Sequence, residues 1–150
     1  MLTFLGEHRL ASGSEEGKMV IWDLSTMESE AVVQLEGQVT GLVLCGDKLF
    51  VSTTSYIALL DPNEGFALIG TLPLPSQALV CSPHGLIVAA GEHLHVFSQE
   101  SLEMRPCICC RNKNTQPKLP PQYTYLAASE RYLVAANDFT HIALYDFLPQ

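Results

Sequence analysis

The chain has 150 residues, with 16 Asp and Glu against 8 Lys and Arg, a formal charge of −8 and a pI near 4.9. Phosphate backbones are held by clustered Lys and Arg, so this acidic balance argues against a nucleic-acid role. No stretch reaches eighteen uninterrupted apolar residues, and the amino terminus carries Glu7 with no basic region ahead of an apolar core, so neither a membrane span nor a signal peptide is expected.

In chain order, Leu2 to Leu5, Arg9 to Gly13 and the Val-Ile-Trp-Asp run ending at Asp23 are short β-rich segments separated by polar or glycine-bearing turns. That is the hairpin pattern. Ala31 to Leu35 follows as a fourth strand. The order returns in Val39 to Cys45, Lys48 to Thr53, the run ending at Asp61 and Phe66 to Leu72, and again in Gln77 to Cys81, Leu86 to Ala90, the run ending at Ser98 and Met104 to Cys110. A last set, Thr124 to Ala128, Tyr132 to Ala136 and the run ending at Asp146, reaches Gln150 before any fourth strand. The third strands end 38, 37 and 48 residues apart, so about ten additional residues lie ahead of the last copy. No segment keeps apolar residues at i, i+3, i+4 and i+7 across three turns, which leaves an all-β chain. A short unit recurs in this way when it cannot bury its own apolar face and must stack on its neighbours.

Residues Leu10 to Asp23 read LASGSEEGKMVIWD. With Ser12, Gly13 and Ser14, the Glu15-Glu16-Gly17 turn and Trp22-Asp23, this stretch resembles the second and third strands of a WD-repeat blade. The resemblance covers nearly the whole chain and is strong in the first copy. Leu60, Phe97 and Tyr145 stand where later tryptophans would, Ser98 replaces one aspartate, and Gly37-Gln38 is the nearest equivalent of the Gly-His pair that opens a WD repeat. In that family a buried His, Asp, Ser and Trp network ties each blade together. Here Ser12 and Trp22 match it and Glu16 takes the place of the aspartate, so apolar packing is expected to carry more of the blade's stability.

The resemblance implies a partial β-propeller of about four WD-like blades of antiparallel strands, at approximately 1–36, 37–73, 74–122 and 123–150, the last one incomplete. Members of the family usually close with seven or eight blades. An unclosed arc leaves two blade faces in water; at roughly 500 Å² of apolar surface each and about 25 cal/mol per Å², that forfeits about 12 kcal/mol per face. Whole domains are stable by only about 5–15 kcal/mol. A fragment, a short isoform or an obligate half is therefore expected, with a compact four-bladed ring as the rival architecture.

The surplus before the last copy falls in the insertion 105–122, RPCICCRNKNTQPKLPPQ. It holds Arg105, Arg111, Lys113 and Lys118 with no acidic residue, so it is locally +4 while the remainder carries −12. Its composition predicts a solvated loop joining the third blade to the fourth, a natural place for a contact. Pro120, Pro121, Gln122 and Tyr123 have the PPxY form, which resembles ligands of WW domains. Cys107, Cys109 and Cys110, with His93 and His95 on the preceding strand, are candidate zinc ligands. Strand alternation puts Cys107 and Cys109 on one face and Cys110 on the other, and the spacing departs from established sites, so no metal is assigned. Cys81 with His84 is a weaker pairing still. Five cysteines at irregular positions suit a reducing compartment, the cytoplasm first and the nucleus second. Cys45 and Cys81, near the ends of corresponding first strands, read as small apolar packing residues.

Catalytic motifs are missing: there is no GxSxG elbow, HExxH pair or phosphate-binding glycine loop. Neither an enzyme nor a cofactor is expected. The resemblance implies instead a noncatalytic protein–protein interaction scaffold, whose strand-connecting loops cluster on two rims. Partner-binding candidates are Glu15, Glu16, Lys18, Asn63, Glu64, His93, Arg111, Lys113, Asn137 and the Pro120, Pro121, Tyr123 motif. An alternative from the same family is the substrate-recognition part of a ubiquitin ligase, since F-box proteins often carry WD repeats; a truncated isoform without independent function is a third.

Overall fold

A computed structural model describes residues 1–83, 85–90, 93–98, 104–105, 110–112, 124–136 and 142–147, with side chains for all of these except 93, 104–105, 110–112, 143 and 147. These residues form an all-β arc of four antiparallel sheets of four strands each. The first sheet contains β1 (Leu2–Phe4), β2 (Arg9–Gly13), β3 (Lys18–Asp23) and β4 (Glu28–Gln34) in chain order. The second repeats the order with β5 (Val39–Cys45), β6 (Lys48–Thr53), β7 (Ile57–Asp61) and β8 (Ala67–Leu72). In the third, β9 (Ala78–Ser82), β10 (Gly85–Ala90), β11 (His93–Phe97) and the short β12 (Met104–Arg105) do the same.

The fourth sheet departs from the expected incomplete blade. β14 (Tyr125–Ala128), β15 (Tyr132–Ala136) and β16 (Ile142–Phe147) pair in order, and its edge position is filled by β13 (Cys110–Asn112), a strand from within the 105–122 insertion. β13 runs antiparallel to β16, with Cys110 opposite Phe147 and Asn112 opposite Tyr145. The edge of β16 is thus covered by a strand that precedes the blade in sequence, which removes one row of open backbone donors and acceptors. A pure loop over 105–122 is corrected to that extent.

Strand alternation gives each sheet two faces. Its back faces the next sheet in the chain, and its front faces the one before. β5 packs on β1 and β2, β9 packs on β5, and β14 packs on β9, so the blades stand in chain order with β1, β5, β9 and β14 innermost. Between blades 1 and 2, the back-facing Ala11, Met19 and Ile21 meet the front-facing Leu49, Val51, Ala58 and Leu60. Between blades 2 and 3, Phe50, Ile57 and Leu59 meet Leu86, Val88 and Phe97. Between blades 3 and 4, Ile87 and Val96 pack on Leu133, and Ala78 and Ala89 on Ala135. The stacks are tight where a side chain would not fit: a Cβ on Gly13 would lie 2.9 Å from the Cβ of Val39 in the next blade. The core therefore lies between sheets, as the recurrence of the unit requires.

The outermost faces are open. Leu2 and Phe4 are 70% and 68% exposed, and Tyr125 and Ile142 are 61% and 62% exposed. A compact four-bladed ring would bury these residues against each other, so the rival architecture is set aside for an arc.

One feature of the core was not expected. Cys45 at the end of β5 and Cys81 on β9 form a disulfide across the junction of blades 2 and 3, with their Cα atoms 5.4 Å apart. The two cysteines are corrected from simple apolar packing residues to a covalent tie. They meet because they occupy equivalent inner strands one repeat apart, 36 residues in sequence, on the back of one blade and the front of the next.

Candidate functional site

Antiparallel order sends successive turns alternately to the two ends of the arc. The turn after β1 (5–8), the turn after β3 (24–27), the β5–β6 turn (46–47), the β7–β8 turn (62–66) and the β14–β15 turn (129–131) share one rim. The turn after β2 (14–17), the connection 35–38, the β6–β7 turn (54–56) and the connection 73–77 share the other.

The sequence-predicted site residues are divided between these rims. Glu15 and Glu16 sit in the turn after β2, exposed, with Lys18 opening β3 beside them. This turn is built by Ser14, whose Oγ accepts from the Glu16 and Lys18 amides at 3.3 and 3.2 Å, while its carbonyl accepts from Val39 of the next blade at 3.1 Å. Gly17 closes the turn with φ +78°. Asn63 and Glu64 lie on the opposite rim, in the 3₁₀ turn Pro62–Glu64, where Asp61 Oδ1 accepts from the Asn63 amide at 2.9 Å. Glu15, Glu16 and Lys18 therefore do not converge with Asn63 and Glu64. His93 opens β11, and Arg111 and Cys110 lie on β13; of their side chains nothing is described. Lys113, Pro120, Pro121, Tyr123, Asn137, Cys107, Cys109 and His84 lie outside the described residues. Among the described residues no cluster of three or more His, Cys, Asp or Glu could hold a metal ion.

The signal that motif reading missed is the repeated aspartate. Asp23, Asp61 and Asp146 end the third strands of blades 1 and 2 and come just before the end of β16 in blade 4, all reaching the first rim. Asp23 Oδ1 accepts from the Ser25 and Thr26 amides at 2.8 and 3.4 Å, folding the β3–β4 turn. Asp61 binds the Asn63 amide and pairs through Oδ2 with Lys48 Nζ at 3.3 Å. Asp146 pairs with Arg131 Nε at 3.3 Å. Each aspartate thus serves the turn or the neighbouring second strand, a role the period alignment contains but does not reveal. Arg9, at the equivalent place in blade 1, pairs with Glu30 at 2.6 Å and lies 5.9 Å from the Phe66 ring of blade 2.

Arg9, Lys48 and Arg131 on this rim are engaged by carboxylates, and Arg105 on β12 and Arg111 on β13, the latter opposite Asp146, lie at the same end with side chains outside the described ones. Glu7, Glu28 and Glu64 remain exposed there in addition. On blades 1 and 2 this rim therefore carries more carboxylates than cations, on or beside turns held by amide-to-aspartate hydrogen bonds. A row of carboxylates on rigid turns attracts Lys and Arg side chains, and the attraction weakens with salt.

The Lys48–Asp61 pair also sets a pH dependence. The hydrogen bond from the Asn63 amide, followed by that from Lys48, holds the Asp61 carboxyl below the usual carboxylate range, and the Asp61 carboxylate raises Lys48. A depressed carboxyl stabilises the fold above its unfolded value of about 3.9 and loses that contribution as pH falls through its folded value. Asp61→Asn keeps an oxygen for the Asn63 amide and removes the charge. It is expected to melt below the parent chain at pH 7, with the gap closing as the pH is taken beneath the carboxylate range. An equal gap at both ends, in thermal melts followed by circular dichroism, would show that the charge contributes nothing.

On the front of blade 1, Trp22 Nε1 donates to Ser12 Oγ at 2.9 Å across the β2–β3 pair. Leu60 and Phe97, the corresponding residues of blades 2 and 3, are buried, whereas Trp22 is 36% exposed. The four positions Trp22, Leu60, Phe97 and Tyr145 thus occupy equivalent places on the third strands of successive sheets.

Four-stranded sheets stacked face to face around their first strands define a segment of the β-propeller type. Solved structures agree on the fold. A chain in the crystal structure of a mitotic checkpoint complex is similar at 19% identity and a TM-score of 0.75, covering 94% of this chain and 46% of its own length. A chain in the crystal structure of BBS1N in complex with ARL6DN is similar at 19% identity and a TM-score of 0.71, covering 100% of this chain and 51% of its own. The computationally designed Ika4 protein is similar at 13% identity and a TM-score of 0.76, covering 99% of this chain and 89% of its own. This chain thus spans about half the length of the first and second of these. No protein-family model and no curated protein matches the sequence.

Proposed function

We propose that this chain is a noncatalytic protein-interaction scaffold built from WD-type repeats, and that its acidic rim engages basic segments of a protein partner. The observation that carries the reading is the rim itself. On blades 1 and 2 its carboxylates stand on or beside turns held by amide-to-aspartate hydrogen bonds, and Arg9 and Lys48 there are already paired. Rigid loops on a repeat scaffold present a binding surface with little ordering cost. The Trp22 to Ser12 hydrogen bond supports the WD-type assignment, because it joins the matching residues of the sequence motif.

The test is binding of a Lys- and Arg-rich peptide by titration calorimetry at low and at physiological salt. Neutralising Glu7, Glu28 and Glu64 together to Gln is expected to weaken binding about tenfold or more, while the same change at Glu15 and Glu16 on the other rim leaves it nearly intact. Equal losses from both rims, or no saturable binding, would defeat the proposed surface. Co-purification from cells tests the broader scaffold reading, which fails if no saturable protein partner is recovered.

A further inference from the structure

We propose that two copies of this chain join head to tail into a single eight-bladed ring, the front of blade 1 in each copy seated on the back of blade 4 in the other. Every junction inside the arc places the back of one sheet on the front of the next. After three such junctions, one front and one back stay outermost among the described residues, and they are the two halves of a fourth junction of the same kind.

Both open faces have the composition of the buried ones. On the front of blade 1, Leu2, Phe4, Trp22 and Val32 are exposed at 70%, 68%, 36% and 56%. The back of blade 4 offers Tyr125, Val134 and Ile142 at 61%, 36% and 62%. None of these seven side chains is charged. Such contiguous apolar faces mark an interface when they occur on a soluble protein. Trp22 makes the point most clearly, because its counterparts Leu60 and Phe97 are buried against the preceding blade.

The arc has the size to be half of a ring. It covers 46% and 51% of two similar chains, about half of each, and 89% of the designed Ika4 chain, which is of nearly its own length. Two arcs together make eight blades with no new architecture, and eight blades lie within the range in which propellers close. A two-fold axis along the channel turns this front-to-back contact into a closed dimer, so no end is left to extend into a filament. Each dimer uses four faces; at roughly 500 Å² each the total is about 2,000 Å², within the range of obligate homodimers. Ring closure is independent of the scaffold reading, since it concerns the flanks of the arc and not its rims.

Sedimentation velocity over a wide concentration range tests it on the unmodified chain. The expected result is one species at twice the 16.4 kDa chain mass. Phe4→Glu on the front and Ile142→Glu on the back are each expected to raise the dimer dissociation constant about 100-fold or more, with circular dichroism confirming that the sheets persist. Mixing the two variants restores one intact junction and is expected to give a dimer weaker than the parent. Val32→Glu replaces Phe4→Glu if the latter fails to fold. A parent chain monomeric at every concentration overturns the proposal, as does a ladder of open polymers. A dimer broken by a front variant and untouched by the back variant also overturns it, because that pattern belongs to two identical faces meeting.

Discussion

Phe50→Ala is expected to lower the unfolding free energy by about 3–5 kcal/mol, the ordinary loss for a large aromatic removed from a core. Phe50 is 0% exposed and projects from the back of blade 2 into the cluster shared with Leu86, Val88 and Phe97 of blade 3. Removing its ring deletes apolar contact on both sides of a junction and leaves a cavity that two hydrogen-bonded sheets cannot easily close. Relaxation is limited because β6 is paired on both edges, to β5 and β7. Urea unfolding monitored by fluorescence measures the loss. Leu68→Ala on β8, where the side chain is 56% exposed, is expected to stay within about 0.5 kcal/mol. If the two substitutions cost the same, the core does not lie between the sheets.

Breaking the Cys45–Cys81 bond is the second large effect. A cross-link spanning 36 residues restricts the unfolded chain, and the chain-entropy estimate for a loop of that length is about 4 kcal/mol. Cys81→Ala is expected to lose most of that, and reduction of the parent chain with dithiothreitol should lower the urea midpoint to a similar degree. After reduction the variant and parent should unfold nearly together. Thiol titration in denaturant provides the chemical check: without reductant Cys45 and Cys81 should be unreactive, and with it all five cysteines should titrate. Full reactivity without reductant, in protein prepared under oxidising conditions, would remove the tie. Such bonds persist where the compartment is oxidising, so the same titration on protein taken directly from cells reports the surroundings in which the chain resides.

Most of the fold was legible because it rests on local alternation. Strands β2, β5, β6 and β15 fall on the expected residues Arg9 to Gly13, Val39 to Cys45, Lys48 to Thr53 and Tyr132 to Ala136. Hairpins are closed by nearby residues such as Ser14 and Gly17, whose chemistry is visible in sequence. What escaped was long-range. β13 pairs with β16 across more than thirty residues, so Cys110, expected to end the third blade's fourth strand Met104 to Cys110, is corrected to the edge of the fourth sheet, because alternation does not say which sheet a strand joins. Cys45 and Cys81 lie on equivalent strands in the sequence pattern, yet no spacing rule states that equivalent strands of adjacent blades touch on facing sides. That contact is a property of the stack.

The candidate site was less legible than the fold. Glu15, Glu16, Asn63 and Glu64 are recognisable as turn residues, but the end of the arc that each turn occupies depends on counting strands through every preceding hairpin. Asp23, Asp61 and Asp146 served as alignment marks, and only the geometry gives them work: capping turns and holding Lys48 and Arg131. The acidic stretch on blades 1 and 2 follows from that arrangement, since Arg9 and Lys48 are paired and Glu7, Glu28 and Glu64 are left outward.

Sheets that stack front on back in chain order bury their core at the junctions. Nuclear Overhauser contacts between side-chain methyl and aromatic protons test this stacking most directly. Contacts are expected from Met19 and Ile21 to the set around Val51 and Leu60, from Phe50 and Leu59 to Leu86 and Val88, and from Ile87 and Val96 to Leu133. Contacts that instead join non-adjacent blades within one chain, or helical connectivities across Trp22, Leu60, Phe97 or Tyr145, would contradict it.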